Sequence, residues 1–336
     1  MSVAIRDAEG RARPLADVSA EVLAAVERAV NDHRRVLLHV LDAAKTGIGA
    51  PALADVAALK QRFGDAIDIA VDACQARLGP EAVAGYLAEG WLVQMTGSKF
   101  WGGPPFSGAL LVPKSFLMRS ERLAPVLGTL RSYMARSEWP AAFGPARDTL
   151  PDVHNLGLLT RWQAAIHEAE NYAGFPPEAS IQRTRQFMSA VAQALAIHPE
   201  LQPLDGTPID HAPICDGDSW QDLRSIVPFV ATRAGAALTL AEAKLLHQSL
   251  ARDVGERLAH VDLSDGDRQL AAQPCHLGQP VKLGATAALR ICASSRTIVA
   301  MAEEGGIDTL ARDLATVLAK TRLLLRHFEA LQVTPR

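Results

Sequence analysis

The chain has 336 residues, 49% of them hydrophobic and 21% charged, with a formal net charge of -3. That length exceeds what one hydrophobic core usually fills, so two lobes are expected, and the near-balanced charge gives no reason to expect nucleic acid or an acidic membrane surface as partner. Cys74, Cys215, Cys275 and Cys292 are scattered without CxxC spacing, which argues against a zinc knuckle or a disulfide framework and fits a reduced compartment.

The charged N-terminus has no apolar stretch long enough for a signal peptide. No window approaches the roughly 18 uninterrupted apolar residues of a membrane span, so a cytoplasmic protein is expected. SVAIR at 2–6 is a candidate short strand, DAEGRARP a turn, and VSAEVLAAVERAVNDHRR a helix by its apolar spacing. VLLHVLD is a continuous apolar run, as expected of a strand covered on both faces. A Gly-rich turn ends it, and LADVAALKQRFG carries Leu53, Val56, Leu59 and Phe63 on one helical face. AIDIAVDA, PEAVAGYLAEG and WLVQMTG repeat the cycle, and SGALLVP adds a fourth strand. Strand and helix alternating at this interval imply right-handed crossovers in a mainly parallel sheet.

From 116 to 200 the pattern is mostly helical, in RLAPVLGTLRSYMARS, LLTRWQAAIHEAENYAG and EASIQRTRQFMSAVAQAL. Beyond 201 it is α+β: SIVPFVAT, PVKL and ALRICAS read as strands and TLAEAKLLHQSLARD as a helix. The apolar positions from Ile307 to Phe328 form a final helix that caps this lobe. The expected organisation is an α/β unit over 1–115, a helical connection over 116–200 and a small α+β domain over 201–336.

In open parallel sheets ligands collect outside the carboxyl ends of the strands, which is where Asp72 and Lys99 fall. Lys99 lies in a Gly/Ser turn where its ammonium can be partly desolvated and the neutral amine made available. Asp72 projects from the neighbouring strand, Gln75 follows in the same turn, and Thr96 and Ser98 place hydroxyls beside the lysine. Pyridoxal phosphate (PLP) chemistry asks for such a set: a Schiff-base lysine, an acid opposite the pyridine nitrogen, a donor near the ring hydroxyl and donors for the phosphate. Singly, each residue has a plain explanation. An Asp at a strand end is commonly a helix N-cap, a Lys in a glycine-rich loop is a solvated charge, and a Gln three residues after an Asp means nothing. The order strand-DxxQ-helix-strand-TGSK is far more specific than its parts.

VDACQ, followed 27 residues later (99 minus 72) by TGSK and then GGPPFSGALLVP, resembles the class V aminotransferase group within PLP fold type I, which includes cysteine desulfurases and selenocysteine lyases. The resemblance implies a mainly parallel α/β large domain with flanking helices and an α+β C-terminal small domain. It assigns Asp72 to the ring nitrogen, Gln75 to the ring oxygen, Lys99 to the Schiff base, and Thr96 and Ser98 to the phosphate. Ser98 stands where many members carry histidine, and Ala44 of DAAKTGIGAP where a polar residue often touches ring or substrate. CHLGQPVKLGATAALRICASSRTIV resembles the segment whose arginine binds the substrate carboxylate, with Arg290 the first candidate and Arg296 the reserve, since a guanidinium offers a carboxylate two parallel hydrogen bonds. The other reading of Arg290 is an ion pair with an acid of the second lobe. When GQPV is matched to the HCAQP-like motif of one branch, the reactive cysteine falls on Leu277, which leaves Cys275 structural and makes desulfuration a minor possibility. His276 and His39 read as satisfied histidines at strand ends. The resemblance covers 36–115 well and 270–336 loosely.

Fold type I enzymes hold the PLP phosphate on a Gly/Ser/Thr loop that opens an early helix. The 71 residues before Asp72 hold neither such a loop nor a ring to stack on the cofactor, so the large domain is expected to start part-way. The chain is then a fragment, one half completed by a separate chain, or a degenerate homologue. An exposed sheet edge beside VLLHVLD favours a homodimer or a complementing chain. The expected function is a PLP-dependent transformation of an amino acid, by transamination or lyase chemistry through Lys99. The alternative is a non-catalytic, partner-binding homologue.

Overall fold

The computed structural model describes residues 1–117, 124–215 and 220–332. Helix α1 (Leu15–Asn31) precedes strand β1 (Val36–Leu41), and α2 (Leu53–Phe63), β2 (Ile67–Asp72), α3 (Pro80–Ala88) and β3 (Leu92–Thr96) follow in alternation. The three strands lie side by side in chain order and parallel, and β4 (Gly108–Leu111) closes the sheet antiparallel to β3. The mainly parallel α/β sheet and its strands are therefore as expected. SVAIR is not a strand; it contributes one isolated bridge, Arg6 to Ala12.

The sheet is covered on one face, which corrects the expectation of a doubly buried β1. Strand order never reverses, so right-handed crossovers deliver both connecting helices to the same side. That side is packed tightly: Val40, Ile67, Ile69, Val71 and Val93 meet Val22 and Val26 of α1, Val56 of α2 and Tyr86 of α3. Alternate residues point the other way. There β1 shows Leu37, 55% exposed, and an exposed His39, while β4 shows Leu110, 52% exposed. Asp72, Gln94 and Leu110 form one row across this second face by strand register.

Three short helices follow, α4 (Lys114–Leu117), α5 (Ala124–Thr129) and α6 (Gly144–Asp148). RLAPVLGTLRSYMARS belongs to the stretch read as mostly helical. Its first two residues lie outside the described residues, and the rest is α5 followed by turns. The two long helices expected next are present as α7 (Leu156–Ala173) and α8 (Pro177–Ala196). Asn155 caps α7 through Leu158 N, and the prolines of AGFPP fall at the cap and first position of α8, where a missing N–H costs nothing.

The C-terminal lobe contains β5 (Leu201–Pro203), β6 (Ile226–Arg233), β7 (Ala236–Ala237), α9 (Leu240–Leu250), α10 (Asp265–Ala272), β8 (Gly278–Leu283), β9 (Thr286–Cys292), α11 (Ser295–Ala300), α12 (Gly306–Arg326) and α13 (Phe328–Gln332). Its antiparallel sheet runs β5-β6-β9-β8, with β7 paired to β6. Phe187 and Val191 of α8, Phe229, Leu246, Leu289 and Leu318 share one apolar cluster. Ala76 and Phe100, from the loops that follow β2 and β3, belong to it as well. The core of the second lobe thus grips the loops that carry the candidate site. The final helix breaks at His327, giving α12 and α13 rather than one element.

Candidate active site

Parallel strands end at one rim of the sheet, and there the chain brings the predicted residues together. Asp72 is the last residue of β2, pairing with Leu41 and Gln94. Its Oδ1 accepts from Cys74 N at 3.1 Å, which folds the turn after the strand back on itself. Ala76 adopts φ +53°, and Phe100 N donates to Gln75 O at 3.3 Å, tying the post-β2 turn to the post-β3 turn. Gln75 itself is buried. Thr96 and Ser98 hydroxyls share a hydrogen bond of 2.9 Å, and Ser98 N donates to Thr96 Oγ1 at 3.3 Å.

Lys99 is held at its backbone and free at its tip. Lys99 O accepts from Gly102 N, and Phe100 is 1% exposed, stacked on Trp220 with ring centroids 4.5 Å apart. The Lys99 side chain is exposed and has no hydrogen bond or ion pair among the described residues, so the partial desolvation expected of it is not supplied by the described residues. Its charge acts on Cys74, whose thiol donates to Gln94 O at 3.8 Å and whose backbone N–H is bonded to Asp72. Burial, followed by Asp72, pushes that thiol up to about 11 and outweighs Lys99, so Cys74 remains a protonated thiol near neutral pH and a poor nucleophile. The rim thus presents an amine and a carboxylate on neighbouring loops, with an inert thiol between them.

Two glycines let other elements close on the lysine loop. A Cβ at Gly97 would lie 2.4 Å from Ala165 Cβ, and one at Gly103 2.7 Å from it, so α7 crosses the loop in direct contact. Arg296 lies beside Gly102 and pairs with Glu168 of α7 at 2.7 Å. Arg290 is 6% exposed; its Nε donates to Gln279 O and its Nη1 to Lys45 O at 3.1 Å. The expected alternative, an acid partner for Arg290, is replaced by two backbone carbonyls, one of them on the loop after β1.

Sequence reasoning missed four residues at this rim. Asp42, directly after β1, is buried and accepts at Oδ1 from Tyr86 Oη at 3.0 Å and from His211 Nε2 at 2.8 Å. His211 Nδ1 donates to Asp222 Oδ1 at 2.9 Å. Arg77, five residues after Asp72, is buried with its guanidinium carbon 5.3 Å from the Phe100 ring centroid. Asp42 follows a buried strand as Asp72 does, so the strand-end rule could have found it. Nothing local marks His211, Arg77 or Cys74.

No family model and no curated protein matches the chain. Solved structures similar to it include a "NifS-like protein", 13% identical over 94% of this chain and 67% of that chain, with a TM-score of 0.47. A 3-amino-5-hydroxybenzoic acid synthase is 14% identical over 94% and 73%, with a TM-score of 0.41. Oryza sativa TDC, in a crystal structure with PLP, is 14% identical over 91% of this chain and 52% of that chain, with a TM-score of 0.44.

Proposed function

We propose that the chain takes part in a PLP-dependent transformation of an amino acid. One observation carries this reading: the loop after β3 that holds the exposed Lys99 is tied to the turn after Asp72 at the end of β2, Phe100 N donating to Gln75 O at 3.3 Å. The residues present fit the ring end of the cofactor. When bound, PLP supplies an electron sink for negative charge on the substrate's α-carbon. Lys99 Nζ would hold the cofactor and could carry the proton of that carbon, and the Asp72 carboxylate would favour a proton on the ring nitrogen. Gln75 supplies an amide for the ring oxygen. Thr96 and Ser98 supply phosphate donors, and at present they bond each other. Arg290, with Nη2 clear of hydrogen bonds among the described residues, is the candidate anchor for the substrate carboxylate, and Arg296, which pairs with Glu168, is the reserve.

The test is uptake of PLP by the full chain, followed by borohydride treatment and peptide mapping. A yellow protein whose colour is trapped on the Lys99 peptide, and whose Lys99→Ala variant stays colourless, is expected. A colourless protein, alone and with a candidate complementing chain, sinks the enzyme reading.

A second reading, favoured by the uncovered sheet face, is a chain that works by binding a partner there. Leu37 and Leu110 sit more than half exposed on opposite edge strands of that face, and the outer edge of β1 pairs with no strand among the described residues.

A further inference from the structure

We propose that a chloride-sized anion is bound in a small cavity between the rim of the parallel sheet and the C-terminal lobe, held by Arg77, Arg224 and Ser225. The cavity measures about 20 Å³ and is lined by these three residues together with Asp42, His211 and Gln221. That volume admits one water-sized particle and little more.

Arg77 is 8% exposed. Its Nη1 donates to Ser225 Oγ at 2.6 Å and its Nε meets no acceptor. Buried guanidinium groups are ordinarily matched by a carboxylate, because an uncompensated charge inside a protein is costly. Here the groups that act on Arg77 are Cys292, Arg290 and Tyr172, and no carboxylate is among them. Burial, and then the second guanidinium of Arg290, pull Arg77 down to about 10.

Arg224 adds a second unmatched donor. Its Nη2 is bonded to Leu204 O, and its Nε is buried without an acceptor. Ser225 accepts from Arg77, which leaves its own hydroxyl proton to donate elsewhere. Of the carboxylates in the neighbourhood, Asp42 and Asp222 are both engaged by His211, and Asp205 acts on Arg224. Asp205 thus offsets Arg224, and Asp42 and Asp222 offset His211, while Arg77, beside the second buried guanidinium of Arg290, has no carboxylate acting on it. A water would leave that charge uncompensated, whereas a monovalent anion cancels it and accepts the spare N–H and O–H donors.

The full chain is to be melted in sodium chloride, sodium bromide and sodium gluconate at equal ionic strength, and a crystal soaked in bromide examined for anomalous scattering. Chloride and bromide are expected to raise Tm saturably by roughly 2 °C over gluconate, with a bromide peak beside Arg77. Ser225→Ala, which keeps both guanidinium groups, is expected to weaken the halide effect severalfold, and Arg77→Met to abolish it. If Arg77→Met does not fold, the bromide peak and the Ser225→Ala titration decide. Equal Tm in all three salts, or a cavity holding only water in bromide, overturns the proposal.

Discussion

His211 Nε2 donates to Asp42 Oδ1 at 2.8 Å across 169 positions of sequence, pinning the segment around His211 to the end of β1. Burial works against the imidazolium, but the hydrogen bond and charge of Asp42, and then those of Asp222, outweigh it and raise the His211 pKa. Tyr86 meets the ring edge-on with centroids 6.1 Å apart, Cys215 Sγ donates to the His211 carbonyl, and Arg77 and Arg224 line the same cavity as His211. Burial, then Asp42, drives the Tyr86 phenol upward, so it keeps its proton throughout the relevant range.

With the folded pKa above the unfolded value, the His211 contribution is complete below about pH 6.5 and is lost as pH rises through the folded value. Urea unfolding of the full chain is therefore expected to show stability declining above about pH 6.5, a decline absent from His211→Gln. Identical pH profiles for the two proteins would show that the pair carries no net linkage.

The same segment lies close on Gly49. Gly49 N donates to Thr207 O at 3.0 Å, and a Cβ at Gly49 would sit 2.3 Å from Ile209 Cβ and 2.6 Å from Ile209 N. Since backbone as well as side chain blocks the space, Gly49→Ala is expected to cost about 1–3 kcal/mol and to speed proteolytic cleavage within 204–215. Gly108→Ala, where nothing lies within 4 Å, is the control and should stay within about 0.5 kcal/mol of the parent. A Gly49→Ala protein as stable and protease-resistant as that control contradicts the close packing.

VLLHVL, IDIAVD and LVQMT were legible as strands because apolar runs bounded by turn residues have few other uses, and their order gave the parallel sheet. The coverage of that sheet was not legible. An apolar run reads alike whether one face is buried or two, and it is the unreversed order β1-β2-β3 that sends α2 and α3 to one side. At the site, Asp72 and Lys99 were found because each is a polar residue at the end of its own strand. His211 reaches the same rim from a loop far along the chain, and Arg77 is buried by Phe100 and Ser225, contacts that sequence spacing does not encode. Lys99 was expected to be partly desolvated, yet its side chain is exposed.

Lys320 tests how far the C-terminal lobe depends on a buried charge. It is 0% exposed on α12, and its ammonium donates to Leu250 O at 3.2 Å, Arg252 O at 2.7 Å and Gln273 O. These carbonyls lie at the ends of α9 and α10, where helices leave acceptors unsatisfied and favour a cation. Burial lowers the pKa of Lys320. Lys320→Met keeps most of the volume but strands the three acceptors, so a loss of about 3 kcal/mol in chemical denaturation is expected. A change below about 1 kcal/mol would mean that water replaces the ammonium without penalty.

The uncovered sheet face gives the last prediction. Leu37 and Leu110 are 55% and 52% exposed, so replacing both with Asp should leave the thermal stability of the isolated chain within about 0.5 kcal/mol of the parent. Exposed apolar surface on a sheet invites a covering layer, and a charge placed there must be desolvated when that layer arrives. If a second copy or a complementing chain covers the face, the parent associates in sedimentation velocity at micromolar concentration and the double variant does not. Association and stability then separate, which a residue buried in the chain's own core would not allow. Should parent and variant sediment alike as monomers under all conditions, with and without a complementing chain, the face is solvent-tolerant and the partner-binding reading fails. PLP uptake by Lys99 in that monomer would leave the enzyme reading standing.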